Sequence, residues 1–169
     1  MQNSILFTLL SNVNGIKNVE EERFKIVNDD TYHAFGGFDY SSDQDDDEPY
    51  KVIYGFFKRP STYCISLSIS FIFEKLENKL TDEEVLSLID EHNKYAIGIK
   101  THSLNQEADD ELNISLSTEF YLPSVIDFSS SLINQLIYTN LRFLENAPVS
   151  FSEHMKARGI IHDFLLTRD

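Results

Sequence analysis

From Thr62 to Leu76 the chain reads TYCISLSISFIFEKL, and its apolar residues recur at every second position. Ile65, Leu67, Ile69, Phe71 and Phe73 fall on one side, and Cys64, Ser66, Ser68 and Ser70 on the other. Only a strand has that period, because successive side chains point to opposite faces of a sheet. One face is packed and the other carries small polar groups. A second stretch, ELNISLSTEFYLP, nearly repeats the pattern: Leu112, Ile114, Leu116, Thr118, Phe120 and Leu122 alternate with polar residues. If these strands neighbour each other, Ser66, Ser68, Ser70, Ser115 and Ser117 form a flat hydroxyl surface that another chain can approach closely. A partner could also add a strand at an open sheet edge.

The remaining elements follow from turn and capping chemistry. FKIVNDDTYHAFGGFDY, 24–40, predicts two short strands around Asn28, Asp29 and Asp30. YKVIYGFFKR, 50–59, is a strand that Pro60-Ser61 turns into the alternating one. Thr81 and Glu84 form a capping box, followed by Val85, Leu88, Ile89 and Tyr95 at helical spacing. AIGIKTHSL, 96–104, and the alternating strand flank the polar turn NQEADD and predict a hairpin. Ser124 and Asp127 start a second helix with Val125, Phe128, Leu132, Leu136 and Phe143 as its buried stripe, and Pro148 ends it. A last amphipathic helix uses Ile161, Phe164 and Leu165, with Ser152 as cap, and a short first helix buries Ile5, Leu6, Leu9 and Leu10.

The expected architecture is α+β. A single, largely antiparallel sheet of five to six strands carries helices on one face, in the order α-β-β-β-β-α-β-β-α-α. Residues 1–169 form a single domain, with 41–49 a flexible acidic loop and 149–169 a C-terminal helical extension.

Cys64 is the only cysteine among the 169 residues, so an intramolecular disulfide and a cysteine-based zinc site are excluded, and a reducing cytoplasm fits. The apolar stretch near the N-terminus, about six residues, is too short for a signal peptide or a membrane span. The formal charge is −14, and residues 1–48 alone hold 11 acidic and 3 basic residues. Such a field repels nucleic acid and anionic lipid and speeds encounter with a basic partner.

Candidate chemistry is sparse. Asp43, Asp45 and Asp47 have the opening spacing of a calcium loop, but Glu48 stands where glycine is needed and Tyr54 where a bidentate glutamate belongs. Asp43, Asp45, Asp46, Asp47 and Glu48 instead make a contact surface for a basic partner. His33, His92, His102, His154 and His162 lack zinc-hydrolase spacing. Gly36-Gly37 matches no phosphate loop and reads as a bulge or turn. Lys58 and Arg59 near Cys64 would lower its thiol pKa. No catalytic residue, cofactor or metal is expected.

The element order, with EEVLSLIDEHNKYAIGIKTHSL at 83–104 leading into the alternating strand and the long helix, resembles the YbjN-like family, whose fold is shared with type III secretion chaperones. The likeness covers about residues 50–147, with Asn93 near the point where the helix gives way to the hairpin. It departs in the acidic N-terminal segment and after Pro148. It implies a non-catalytic, acidic, often dimeric protein that binds another polypeptide. The expected function is therefore that of a chaperone or adaptor, and the alternative is an immunity protein whose acidic surface neutralises a basic toxin such as a nuclease.

Overall fold

The computed structural model describes residues 4–28, 31–43, 48–74, 76, 79–104 and 111–166, with backbone only for 23–28, 165 and 166. Asp29, Asp30, Asp45, Asp46, Asp47 and the 105–110 turn lie outside the described residues. The elements are α1 (Ile5–Leu10), β1 (Ile16–Asn28), β2 (Thr31–Tyr40), β3 (Tyr50–Lys58), β4 (Thr62–Glu74), α2 (Asp82–Tyr95), β5 (Lys100–Ser103), β6 (Leu112–Pro123), α3 (Ser131–Ala157) and β7 (Asp163–Leu166). The protein is α+β, with a seven-stranded sheet in the order β1-β2-β3-β4-β6-β5 and β7 paired to β4. The β1–β2, β2–β3, β3–β4, β4–β7 and β5–β6 ladders are all antiparallel.

Two compact units divide the chain: residues 1–68 with 119–142, and residues 69–118 with 143–169. In the first, Ala34 and Phe38 of β2, Tyr54 and Phe56 of β3 and Ile65 and Leu67 of β4 are buried, as are Leu6, Leu9 and Leu10 of α1. Ile5 of α1 is exposed instead. Glu21 holds the helix start: its carboxylate accepts from the Ser4 amide at 2.6 Å, from the Ser4 hydroxyl, and from the Tyr54 phenol at 3.0 Å. The same phenol donates to the Glu20 carbonyl at 3.2 Å. Burial, the adjacent Glu21 charge and the hydrogen bond to the Glu21 carboxylate all push the Tyr54 phenol up, so it stays a donor at every physiological pH.

This crossing explains the glycine doublet. The β2–β3 register runs unbroken through Gly36 and Gly37, so there is no bulge there. A Cβ on Gly36 would lie 1.9 Å from the Glu20 carbonyl oxygen and 2.7 Å from the Tyr54 ring. Glycine is needed for close approach, not for a turn.

In the second unit, the Thr81–Glu84 capping box forms, and the Thr81 amide and hydroxyl hold the Glu84 carboxyl below the usual range. Val85, Leu88 and Ile89 are buried as the spacing predicts, while Tyr95 is exposed. Asn93 joins α2 to β5 through a reciprocal pair, its amide donating to the Thr101 carbonyl at 3.1 Å and its oxygen accepting from the Thr101 amide at 2.8 Å. β5 begins only at Lys100, because residues 97 and 98 form a turn with Gly98 at φ +76°.

The C-terminal third differs most from expectation. No second helix follows Pro148: α3 runs through it, and the chain ends its described part in β7. The proline costs about 3 kcal/mol in a helix interior, while burying Phe151 and Met155 beyond it returns roughly 1.5–3 kcal/mol each. Gly159, at φ +77°, terminates α3. Its amide donates to the Lys156 carbonyl at 2.9 Å and the Ile160 amide to the Met155 carbonyl at 3.1 Å, the paired bonds of a Schellman motif. Ser152 is therefore a buried mid-helix residue, Ile161 lies in the link after α3, and Phe164 and Leu165 belong to β7.

The buried stripe of α3 is also displaced. Of the expected residues Phe128 is buried and Leu136 half-buried, but Val125 (90% exposed), Leu132 and Phe143 face solvent, and Ile133, Ile137, Leu141 and Leu144 are buried instead. Asp127 does not cap the helix but closes a local turn, accepting from the Ser129 amide at 2.9 Å and hydroxyl at 2.7 Å, which delays the helix to Ser131. Both stripes fit helical spacing, and the one continuing to Phe151 and Met155 is the longer.

A candidate protein-binding face

The open face of the sheet begins as expected on β4. Ser66, Ser68 and Ser70 are half-buried and alternate with buried Ile65, Leu67 and Ile69. Ser115 and Ser117 stand in the same relation to Ile114 and Leu116 on β6. Ser68 donates to the Ile53 carbonyl and Ser117 to the Lys100 carbonyl, both at 3.5 Å. These weak bonds turn hydroxyls back onto their own sheet. Of the acidic run, Asp43 and Glu48 are exposed, and the Asp43 amide donates to the Ser41 hydroxyl at 3.2 Å. Asp45, Asp46 and Asp47 are outside the described residues.

In the first unit the open face adds aromatic and apolar side chains from β2 and β3 to Ser66 and Ser68 of β4. Cα partners across antiparallel strands share a face. The register aligns His33 with Phe57 and Phe57 with Cys64, Phe35 with Gly55 and Gly55 with Ser66, and Gly37 with Ile53 and Ile53 with Ser68. His33, Phe35 and Phe57 pack edge to face, with centroids 4.5 Å apart for His33–Phe57, 5.5 Å for Phe35–Phe57 and 6.1 Å for His33–Phe35. Gly55 leaves room for them: a Cβ there would meet the Phe57 ring at 3.0 Å. Phe35 remains 40% exposed and Ile53 61% exposed. Exposed Glu20 and Glu22 of β1 pair with Gly37 and Phe35 and so rim the same surface.

Cys64 lies at one end of this face and shares a pocket with the Tyr121 phenol. Burial pushes its thiol up, overriding the opposing Tyr121 bond and Arg59 charge, so the expected lowering does not occur. The bond to Cys64, with the charges on Cys64 and Glu119, pushes the Tyr121 phenol up as well.

Two histidines of the second unit, His92 and His162, are buried and hydrogen-bonded within the fold. His92 Nδ1 lies 2.8 Å from the Thr101 hydroxyl and Nε2 3.4 Å from that of Ser150. The His162 Nδ1 faces the Ile160 carbonyl at 3.2 Å and must donate to it, so Nε2 accepts from Ser152 at 2.8 Å. Burial lowers the pKa of both rings, for His92 with help from His154. Among the described residues no group of three or more His, Cys, Asp or Glu is placed to hold a metal ion. No helix among them is long and apolar enough to cross a membrane.

Compared with protein-family models, with curated proteins and with solved structures, the chain matches none. The aromatic cluster escaped the sequence reading because its members come from β2 and β3, and only the ladder register brings them together. The hint was the crowding of Phe35, Phe38, Phe56 and Phe57 beside Gly36, Gly37 and Gly55.

Proposed function

We propose that this chain is a non-catalytic, acidic protein-binding module, a chaperone or adaptor that holds a client polypeptide on its open sheet face. The observation that carries this is the exposure of Phe35 and Ile53 beside the Phe57–His33 cluster, rimmed by Glu20 and Glu22. Exposed rings and an Ile side chain on a sheet attract apolar side chains, and the glutamates favour a client segment that is also basic. The resemblance to YbjN-like proteins and type III secretion chaperones points the same way, and with it a cytoplasmic setting and a homodimer. Within the first unit, Ser66 and Ser68 on β4 would let a client backbone lie close beside the aromatic cluster.

A second reading is an immunity protein. The formal charge of −14, concentrated in residues 1–48, favours it, because such a field accelerates encounter with a basic folded toxin. In that case Asp43, Asp45, Asp46, Asp47 and Glu48 set the association rate.

Affinity capture on the tagged protein from its native cells, washed at low and then high salt, separates the two. A client retained through high salt and lost from a Phe35→Ser/Ile53→Ser variant supports the chaperone reading. A folded basic partner released by salt and indifferent to that variant supports the immunity reading. Retention of the same unfolded client by wild type and variant alike would sink the proposed face.

A further inference from the structure

Where the open face meets the β3–β4 turn, a pocket of about 490 Å³ is lined by Phe57, Arg59, Ser61, Thr62, Cys64 and Tyr121. We propose that it binds a carboxylate carried on an aromatic or apolar group, the carboxylate on the Arg59 guanidinium and the apolar part between Phe57 and Tyr121. The volume lies within the roughly 300–1,000 Å³ of small-ligand sites. The walls are preorganised by the fold. Arg59 and Thr62 close the turn through bonds of 2.9 and 3.4 Å, and the Ser124 amide anchors the Ser61 carbonyl at 3.1 Å beside the end of β6. Phe57 is held by edge-to-face packing on His33 and Phe35.

The chemistry of the lining selects the ligand. Arg59 offers a planar fork of donors matched to a carboxylate, and no carboxylate among the described residues lies within ion-pair distance of it. Ser61 and Thr62 add hydroxyls to the lining. Phe57 and Tyr121 supply aromatic rings, with Tyr121 66% exposed. In a protein of charge −14 an anion has no long-range attraction, so its binding hangs on this one guanidinium. Glu119 acts against it, since its charge already raises both Cys64 and Tyr121. The ligand group has two sources, a free small acid or the C-terminal aromatic residue of a polypeptide. The pocket assignment does not depend on the client reading, since a free acid would fill it in the absence of any client.

Cys64 lines the pocket and is the only cysteine, so its alkylation rate reports occupancy. The probes are phenylacetate, phenylacetamide, and a hexapeptide ending in phenylalanine as free acid and as amide. Phenylacetate should slow alkylation at millimolar concentration and shift the Tyr121 ring resonances, with phenylacetamide at least about tenfold weaker. Arg59→Gln should weaken the acid at least about tenfold, and Glu119→Gln should strengthen it. Both positions are exposed, so both variants should fold. A free-acid peptide effective at far lower concentration than phenylacetate marks a polypeptide terminus as the source; comparable concentrations mark a small acid. Protection by neither acid, equal protection by acid and amide forms, or an unchanged response in Arg59→Gln would overturn the proposal.

Discussion

The two units treat polar and aromatic groups in opposite ways. In the unit of residues 1–68 and 119–142, rings come to the surface: His33, Phe35 and Phe57 cluster on the open side of β2 and β3, and the buried polar anchor is Glu21 with Tyr54 and Ser4. In the unit of residues 69–118 and 143–169, Phe71 and Phe73 of β4 go inside, where Phe151 packs at 5.5 Å from Phe73 and 5.1 Å from His92, and Ser70, Ser115 and Ser117 stand on the outward side of their strands. The lesson is that one alternating pattern, strand by strand, serves two ends. Where the outward residues are serine, the sheet presents a smooth surface; where they are aromatic, it offers a place to bind.

The largest effect should come from breaking the inward packing. Phe151→Ala removes a fully buried ring and should cost about 3–5 kcal/mol in urea unfolding. A cost below 1 kcal/mol, on the order of a surface substitution, would mean that α3 does not continue as a packed helix past Pro148. Next is the anchor of the other unit: Gly36→Ala drives a methyl into the Glu20 carbonyl and the Tyr54 ring and should cost at least about 2 kcal/mol, while Gly37→Ala, whose nearest contact is 3.4 Å, should cost much less.

The pH response should follow the buried histidines. His92 and His162 have pKa values below the ordinary histidine value, which is close to that of the unfolded chain, about 6.5. Above that pH both states are neutral and stability is unaffected. As pH falls below it, the unfolded state takes up protons that the folded state refuses, so stability drops, by up to about 1.4 kcal/mol per pH unit for each ring. Urea unfolding at stepwise pH from neutral to mildly acidic would register this slope, and His92→Asn/His162→Asn should flatten it. Smaller again is Thr81→Ala, which removes the capping box of α2 and should cost about 1 kcal/mol. Ile53→Ser should change stability by no more than about 0.5 kcal/mol, because that side chain is mostly in solvent, whereas Phe35→Ser removes a ring packed on Phe57 and should cost about 1 kcal/mol.

Strand and helix identity was legible wherever local chemistry is decisive. The period of two fixed β4 and β6 almost to the residue, and Thr81 with Glu84 fixed the start of α2. Two signals misled because their outcome is decided by tertiary contacts. Pro148 reads as a stop, but the burial of Phe151 and Met155 carries the helix through it. Gly159 reads as a weakness inside a last helix, yet it ends α3 and frees Asp163–Leu166 to pair with β4. The aromatic end of the open face needed the β2–β3 register, which no single stretch of sequence encodes.

The central claim is that a client sits on the open face of β2, β3 and β4. It is tested most directly by following isoleucine methyl resonances while the captured client segment is titrated in. Ile53 lies on that face, and Ile97, 89% exposed in the turn after α2, is a control of similar accessibility. A shift of the Ile53 methyl with Ile97 unmoved is the predicted result; a shift of Ile97 with Ile53 unmoved would contradict it.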